Sequence, residues 1–222
     1  MILIFGFIAN ANAQPFVLID EPVYTFEPMP DGVHISHEFK IKNSGNAVLK
    51  IINVKPPWGC DKHSFDKEIL PGMEGKISLS FNTSGYGGRV IKKNTLITTN
   101  DPNKTKLTLT ITGLVEKIVN IEPSSVYLKG NPGNTLETIV KITPVEKYKF
   151  SILSLEQNVN KNIKASLITH KGKEKFRKVK IKASSDKTEQ LYDVVTLKTD
   201  SKYKPSIEIR VYAKFFKTTK TD

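Results

Sequence analysis

The sequence predicts an all-β protein made of two tandem immunoglobulin-like β-sandwich domains. Apolar residues recur at every second position in many short segments, which is the pattern of strands with one buried face. Turn-forming residues separate these segments at intervals of roughly 12–20 residues, as in antiparallel sandwiches and barrels. No segment shows the apolar spacing of an amphipathic helix.

The alternation is clearest in five segments. Between Lys106 and Thr112, leucine or isoleucine alternates with threonine or lysine without a break. The other alternating segments are 33–41, 77–81, 178–183 and 207–215. Gly, Asn, Asp and Pro cluster between the strands, where they favour turn conformations. These turn signals lie at 30–32, 43–46, 71–72, 85–88, 100–103, 130–133 and 200–201.

The N-terminus predicts an export signal over residues 1–13. An apolar run, Ile2–Ile8, precedes Ala11-Asn12-Ala13, which fits the small-x-small cleavage pattern. The run is too short to span a bilayer, and no other segment approaches spanning length. A basic stretch ahead of it is absent, so we interpret the signal as one that begins upstream of Met1. The alternative is a free N-terminal strand. The signal predicts a periplasmic or secreted protein.

The chain is expected to divide into a domain at 14–117 and a second, basic domain at 118–222. Both halves begin with a Pro-marked strand and carry a Thr-Asn-Asp or Thr-Asp turn before the last strand. Domains of about 100 residues are common for such sandwiches. The formal charge is +12, and it is unevenly spread. Residues 1–140 hold 14 basic and 13 acidic residues, whereas residues 141–222 hold 20 and 9.

Five short motifs follow one another in the first half of the chain: Phe39–Gly45, Leu49–Val54, Trp58–Asp61, Pro71–Gly75 and Thr99–Pro102. Their order resembles the pattern of a bacterial family of unknown function, whose immunoglobulin-like domain is related to Hydin-like and major-sperm-protein-like modules. The resemblance covers about residues 20–117 and implies an exported protein without established catalytic activity.

One motif departs from the family pattern. Where the family has C-G-C-T, this chain has Trp58-Gly59-Cys60-Asp61. Any role that requires two thiols is therefore doubtful. Cys60 is the only cysteine, so no internal disulfide can form. The thiol is expected either to be buried or to pair with another chain.

Cys60 and His63 are weak candidate metal ligands, and His34 and His37 are the other two histidines near them. Alternation sends His34 and His37 to opposite faces of one strand, so we expect His37 to be an inward structural residue. We expect the protein to bind no metal and no other cofactor. Cys60 with His63 is also the only candidate nucleophile and base. No third group or oxyanion loop accompanies the pair, so the sequence predicts no enzyme activity and no small-molecule substrate.

A run of basic residues is the strongest functional feature. It comprises Lys171, Lys173, Lys175, Arg177, Lys178, Lys180 and Lys182. Lys178, Lys180 and Lys182 should share one face of a strand, and like charges at that spacing repel unless an anion lies across them. This predicts a surface for an acidic protein or a polyanion, and the alternative is an ordinary solvated strand. We do not expect nucleic acid as the partner, because no aromatic residue interleaves with Lys178, Lys180 and Lys182 to support base stacking.

Trp58 follows Pro56-Pro57 in a loop between strands. It is expected either to anchor a partner or to cap one end of the sandwich. The favoured function is a binding or scaffolding module for other envelope proteins or anionic surface polymer. The alternatives are an assembly chaperone of the tandem immunoglobulin-like type, with Leu107–Val115 as the nearest candidate donor strand, and a metal-handling protein.

Overall fold

The computed structural model describes residues 13–157, 161–168 and 176–217. The predicted signal, apart from Ala13, lies outside the described residues. The chain forms two compact units. One contains residues up to Met29 together with Val33–Val115, and the other contains Pro30–Gly32 together with the chain from Glu116 onward.

The predicted all-β class is confirmed. Among the described residues, the only helix is a 3₁₀ turn at Glu146–Tyr148. No helix in this part of the chain has the length and apolar character needed to cross a membrane.

The first domain is a sandwich of two sheets. One sheet has the strand order β1-β3-β7-β5, and the other has the order β2-β9-β8-β4-β6. The strands are β1 (Val17–Leu18), β2 (Val23–Pro30), β3 (His34–Asn43), β4 (Leu49–Lys55), β5 (Cys60–Phe65), β6 (Glu68–Ile69), β7 (Glu74–Asn82), β8 (Arg89–Thr99) and β9 (Lys106–Glu116).

The second domain repeats this strand order. Its sheets are β10-β12-β15-β14 and β11-β17-β16-β13, which match those of the first domain strand for strand, except that β6 has no described counterpart. The two domains are therefore copies of one topology. The strands are β10 (Val119–Glu122), β11 (Ser125–Gly130), β12 (Thr135–Pro144), β13 (Ile152–Gln157), β14 (Ile163–Ile168), β15 (Arg177–Ser184), β16 (Glu189–Thr199) and β17 (Ser206–Phe215).

Each domain has its own hydrophobic core, built from the alternating residues of its two sheets. Burying one such aliphatic or aromatic side chain stabilises a fold by roughly 1.5–3 kcal/mol. Because each set of inward residues comes from both sheets, neither sheet is stable without the other. The largest fully buried side chains are Phe39, Ile41, Leu49, Ile77, Ile97, Leu109 and Ile111 in the first domain, and Ile118, Ile142, Ile163, Ile181 and Phe215 in the second.

Buried Asn43 joins three parts of the first domain at the end of β3. Its Nδ2 donates to the carbonyls of Ala47 at 2.7 Å and Ile69 at 2.9 Å. Its Oδ1 accepts from the N–H groups of Phe16 at 3.3 Å and Gly45 at 3.0 Å. A Cβ at Gly45 would overlap the backbone of residues 14–16, which explains the glycine of this turn.

The turn before β9 is held by a second buried polar group. Asp101 accepts hydrogen bonds from the N–H groups of Val17 and Asn103, both at 2.8 Å. The Thr99 hydroxyl accepts from Asp101 N at 3.1 Å and donates to Lys104 O at 2.8 Å. The Thr99–Pro102 motif is therefore structural.

The turn before β17 has the same construction. The Thr199 hydroxyl donates to Lys204 O and accepts from Ser201 N at 3.2 Å, as Thr99 does in the first domain. Asp200 accepts from Ser151 N at 2.6 Å, just as Asn100 accepts from Lys50 N at 2.7 Å. Ser201 thus occupies the place of Asp101.

Replacing Asp101 should destabilise the first domain strongly. Asp101→Ala leaves the buried N–H of Val17 without its acceptor, which costs roughly 2–4 kcal/mol of unfolding free energy. Ser201→Ala is the matched control, and it should cost roughly 0.5–1.5 kcal/mol because Ser201 is only partly buried. Calorimetry of the full chain measures both. If the two variants lose equal amounts of unfolding free energy, burial of the Asp101 carboxylate is not the cause of the destabilisation.

Candidate anion-binding surface

Three of the predicted basic residues share one face of β15. Val179, Ile181 and Ala183 are buried in the core of the second domain. Lys178, Lys180 and Lys182 alternate with them and therefore lie on the outer face of the sheet. β15 is an interior strand, paired with β12 on one side and β14 on the other.

Two further lysines complete this surface. Lys141 of β12 is paired directly with Lys178, and Lys164 of β14 is paired directly with Lys182. Paired residues of neighbouring strands point to the same side of a sheet. We call the set Lys141, Lys164, Lys178, Lys180 and Lys182 the lysine face.

Sequence reasoning missed Lys141 and Lys164. Both stand at outward positions of their strands, which was the available signal, because buried Val140 and Ile142 flank Lys141 and buried Ile163 precedes Lys164. Their place beside the β15 lysines depends on strand register, which no local pattern shows.

The lysine face is only partly neutralised. Glu137 lies 3.7 Å from the Lys180 ammonium and 3.5 Å from that of Lys182, as exposed or half-exposed ion pairs. Such pairs stabilise a fold by only about 0–1 kcal/mol. At the other end, the ammonium groups of Lys141 and Lys178 lie 4.8 Å and 5.2 Å from the centroid of the Phe176 ring. The ring attracts both cations but carries no charge.

One predicted member of the surface, Arg177, is not part of the lysine face, and Lys171 and Lys173 lie outside the described residues. Arg177 is paired with buried Ile142, so it lies on the opposite side of the strand from the three lysines. There it lines a cavity of about 260 Å³ with Phe150 and Phe176. Lys175 also lies outside the described residues.

The equivalent face of the first domain is built differently. The strands β3, β7 and β5 occupy the places of β12, β15 and β14. Serines 36, 64, 78 and 80 line a shallow depression of about 780 Å³ there, beside Glu38. Two pairs of serines stand directly opposite each other on this face, Ser36 with Ser80 and Ser64 with Ser78, and one pair of lysines, Lys40 with Lys76, stands further along the same strands.

The candidate metal ligands do not converge. His34 lies on the outer face of β3, with its ring 3.0 Å from the Asn82 amide. Cys60 is half-buried, and its thiol donates to the Ser80 carbonyl at 3.0 Å. His63 and His37 flank Leu79 from neighbouring strands. Among the described residues, no three His, Cys, Asp or Glu side chains group in a way that could hold a metal ion.

His37 packs as an aromatic residue on the inward side of β3, as predicted. Its ring is stacked on Tyr24, with centroids 3.7 Å apart, and contacts the edge of Phe39 at 4.6 Å. Desolvation lowers the pKa of His37, and the carboxylates of Glu21 and Glu38 oppose this shift only in part.

Trp58 does not cap the sandwich. Its side chain is the most exposed of the large apolar residues, at 91%. The loop around it is nonetheless held in place, because the Lys93 ammonium donates to Trp58 O at 3.1 Å and to the Tyr86 hydroxyl at 2.8 Å. Gly59 supplies a positive φ of 83°. Of the two interpretations, the exposed partner anchor is the one that stays open.

The segment considered as a donor strand has no free edge. Leu107–Val115 lies within β9, which pairs with β2 on one side and β8 on the other. A strand lent to a partner must offer unpaired N–H and C=O groups. This expectation was therefore wrong, and the chaperone alternative loses its candidate strand.

These features define a class of protein, a tandem immunoglobulin-like β-sandwich protein with a basic outer sheet face. Residues 17–115 match the family described as protein of unknown function (DUF1573). This match spans the predicted resemblance, although it does not test the Hydin-like relationship. No curated protein matches the chain.

Solved structures similar to this chain share little sequence with it. A protein of unknown function from Porphyromonas gingivalis W83 is 11% identical, with 90% of this chain and 99% of that chain covered and a TM-score of 0.37. The PapD-like domain 7 of human CEP192 is 12% identical over 52% and 94%, with a TM-score of 0.34. The YadV chaperone is 9% identical over 90% and 99%, with a TM-score of 0.29.

The stability of the first domain should fall in mild acid through His37. Its folded pKa lies below the ordinary value of 6.5, so the unfolded state takes up the proton first as the pH falls. The contribution is complete above pH 6.5 and decreases below it until the folded pKa is passed. His37→Phe keeps the stack and should remove this part of the pH dependence of the unfolding free energy.

His34→Gln is the matched control, because it removes a histidine from the outer face of the same strand. Urea unfolding from pH 7 to pH 5 compares the three proteins. If His37→Phe keeps the full pH dependence of the parent chain, burial of His37 is not its cause.

Proposed function

We propose that this protein is a non-enzymatic, exported module that binds acidic envelope proteins or anionic surface polymer through the lysine face. One observation carries the proposal. Two like-charged pairs, Lys141 with Lys178 and Lys164 with Lys182, stand directly opposite each other on neighbouring strands. Direct cross-strand pairs of like charge destabilise a sheet. A bound anion removes that repulsion.

The lysine face is more basic than the corresponding face of the first domain. There, serines line much of the surface, and in the like-charged pair Lys40 with Lys76 the Lys76 ammonium is paired with Glu38 at 3.2 Å. Among the described residues of the lysine face and their cross-strand partners, five lysines stand against two carboxylates, Glu137 opposite Lys182 and Glu122 opposite Lys141. A basic field of this kind favours anionic partners and accelerates their association.

The absence of enzyme activity is part of the proposal. It is supported by the positions of Cys60 and His63, the only nucleophile and base that the sequence offers as a candidate pair. The Cys60 thiol donates to the Ser80 carbonyl, and His63 stands at a different level of the sheet, opposite Leu79. A nucleophile requires a base within hydrogen-bond reach and a third group that orients the base. Export rests on the predicted signal at residues 1–13.

Charge reversal of the β15 lysines tests the proposal. Lys178→Glu, Lys180→Glu and Lys182→Glu together should weaken binding to immobilised polyglutamate by tenfold or more, about 1.4 kcal/mol at least. Binding by the parent chain should be retained at about 0.1 M salt and lost at about 1 M, where the Debye length is only roughly 3 Å.

The matched control places the same charge change on the first domain. Lys40→Glu, Lys42→Glu and Lys92→Glu alter three exposed lysines outside the lysine face. Binding by this control should be close to that of the parent chain. If both triple variants lose binding equally, only net charge matters and the lysine face is not a site. If neither loses binding, the lysines are ordinary solvated residues.

A further inference from the structure

Three tyrosines form a row across the other sheet of the second domain. Tyr212 of β17 is paired with Tyr127 of β11 on one side and with Tyr192 of β16 on the other. All three alternate with core residues and lie on the outer face of this sheet. We call them the tyrosine row. Their exposure is 70% for Tyr127, 50% for Tyr192 and 37% for Tyr212, which is high for large aromatic side chains.

Neighbouring rings of the tyrosine row contact one another, and part of each side chain stays exposed to solvent. The Tyr127 and Tyr212 rings are stacked, with centroids 5.0 Å apart and planes within 7°. The Tyr192 ring is also 5.0 Å from Tyr212 but is tilted by 42°. β11 is an edge strand of its sheet, so the far face of Tyr127 has no neighbouring strand in this sheet.

Basic side chains flank the tyrosine row on both sides. Lys129 and Lys214 form a direct cross-strand pair on one side, and Arg210 stands on the other. Among the described residues paired with these positions, Gln190, Ser125 and Val194, there is no carboxylate. Three cations therefore surround three phenol groups. Lys129 and Lys214 are a further like-charged pair, which an anion between them would stabilise.

We propose that the tyrosine row and its flanking cations bind an acidic polysaccharide. The apolar ring surfaces pack against the C–H faces of the sugars, and the phenol hydroxyls exchange hydrogen bonds with sugar hydroxyls. Lys129, Lys214 and Arg210 pair with the carboxylates of the polymer. An extended chain crossing the strands would meet all three tyrosines in succession.

The ring arrangement favours sugars over nucleic acid. Sequence-tolerant binding of single-stranded nucleic acid needs one open aromatic face for each stacked base. Tyr127 and Tyr212 instead cover part of each other's faces, so these two rings present mainly their edges, their hydroxyls and the far face of Tyr127. Ring edges carry the positive part of the aromatic quadrupole, which suits a ligand rich in oxygen and negative charge.

This site is separate from the lysine face. The tyrosine row belongs to the sheet β11-β17-β16-β13, whereas the lysine face belongs to β10-β12-β15-β14. Both sheets direct their inner faces to one core, so their outer faces point away from each other. Variants of one surface therefore leave the other unchanged, and the two proposals fail independently.

The test uses the full chain carrying Lys178→Glu, Lys180→Glu and Lys182→Glu, so that the lysine face is disabled. Calorimetric titration compares uronate polymers (polygalacturonate, alginate and hyaluronate), methyl-esterified polygalacturonate, polyglutamate and oligo-dT. At least one uronate polymer should bind. The methyl ester should bind about tenfold more weakly than polygalacturonate, because it keeps the sugar faces but loses the charges.

Tyr127→Ala and Tyr192→Ala, added to this chain, should weaken uronate binding by about tenfold and leave any polyglutamate binding unchanged. The matched control, Val90→Ala and Leu153→Ala, removes two exposed apolar side chains elsewhere and should leave uronate binding unchanged. Thermal unfolding of each variant identifies any loss of binding that is caused by misfolding. If the alanine pair misfolds, Tyr127→Phe with Tyr192→Phe replaces it. The phenylalanine pair should weaken uronate binding several-fold.

Three results would overturn the inference. The first is the absence of tyrosine-dependent binding to every uronate polymer. The second is an equal loss of polyglutamate binding in the tyrosine variant, which would reduce the site to a general anion surface. The third is tighter, tyrosine-dependent binding of oligo-dT, which would assign the row to nucleic acid.

Discussion

The first domain depends on buried hydrogen bonds that hold its turns to strands distant in sequence. In the first domain, the Asp101 carboxylate accepts from Val17 N, although 84 residues separate the two. Asn43 joins the N-terminal segment, its own turn and β6. Unpaired polar groups in a core are costly, so these bonds exclude other positions of the turns. With the turns fixed, the strands pair in one register, and the alternating apolar residues of both sheets pack in one core.

This explains why the turn motifs of the first domain indicate a fold without indicating a reaction. Asn43, Thr99 and Asp101 satisfy backbone groups, and none of them faces a cleft. The outer faces are not constrained in this way, and there the two domains differ most. In the first domain one outer face carries mainly serines together with the pair Lys40 and Lys76, and in the second domain lysines predominate on the equivalent face. The binding surfaces proposed for this protein therefore lie at outer-face positions, whose residues the fold does not require.

Sequence reasoning succeeded where the physics is local. The alternation over 178–183 was enough to place Lys178, Lys180 and Lys182 on one face, and the inward position of His37 followed from the same rule. It failed where the answer depends on register between strands. Nothing near Lys141 indicates Lys178 as its neighbour, and nothing near Tyr127 indicates Tyr212. Nothing near Trp58 indicates that its loop is held by Lys93, which lies 35 residues further along the chain.

The order of strands also affects how the protein is made. β9 and β17 are the last strands of their domains, yet each is inserted between two earlier strands of its sheet. Neither sheet can therefore close until its domain has been translated completely. At ribosomal rates of roughly 5–20 residues per second, a domain of about 100 residues stays incomplete for roughly 5–20 s after its first residue is added. During that time the nascent chain lacks an interior strand of one sheet, so each domain stays open while it is being translated.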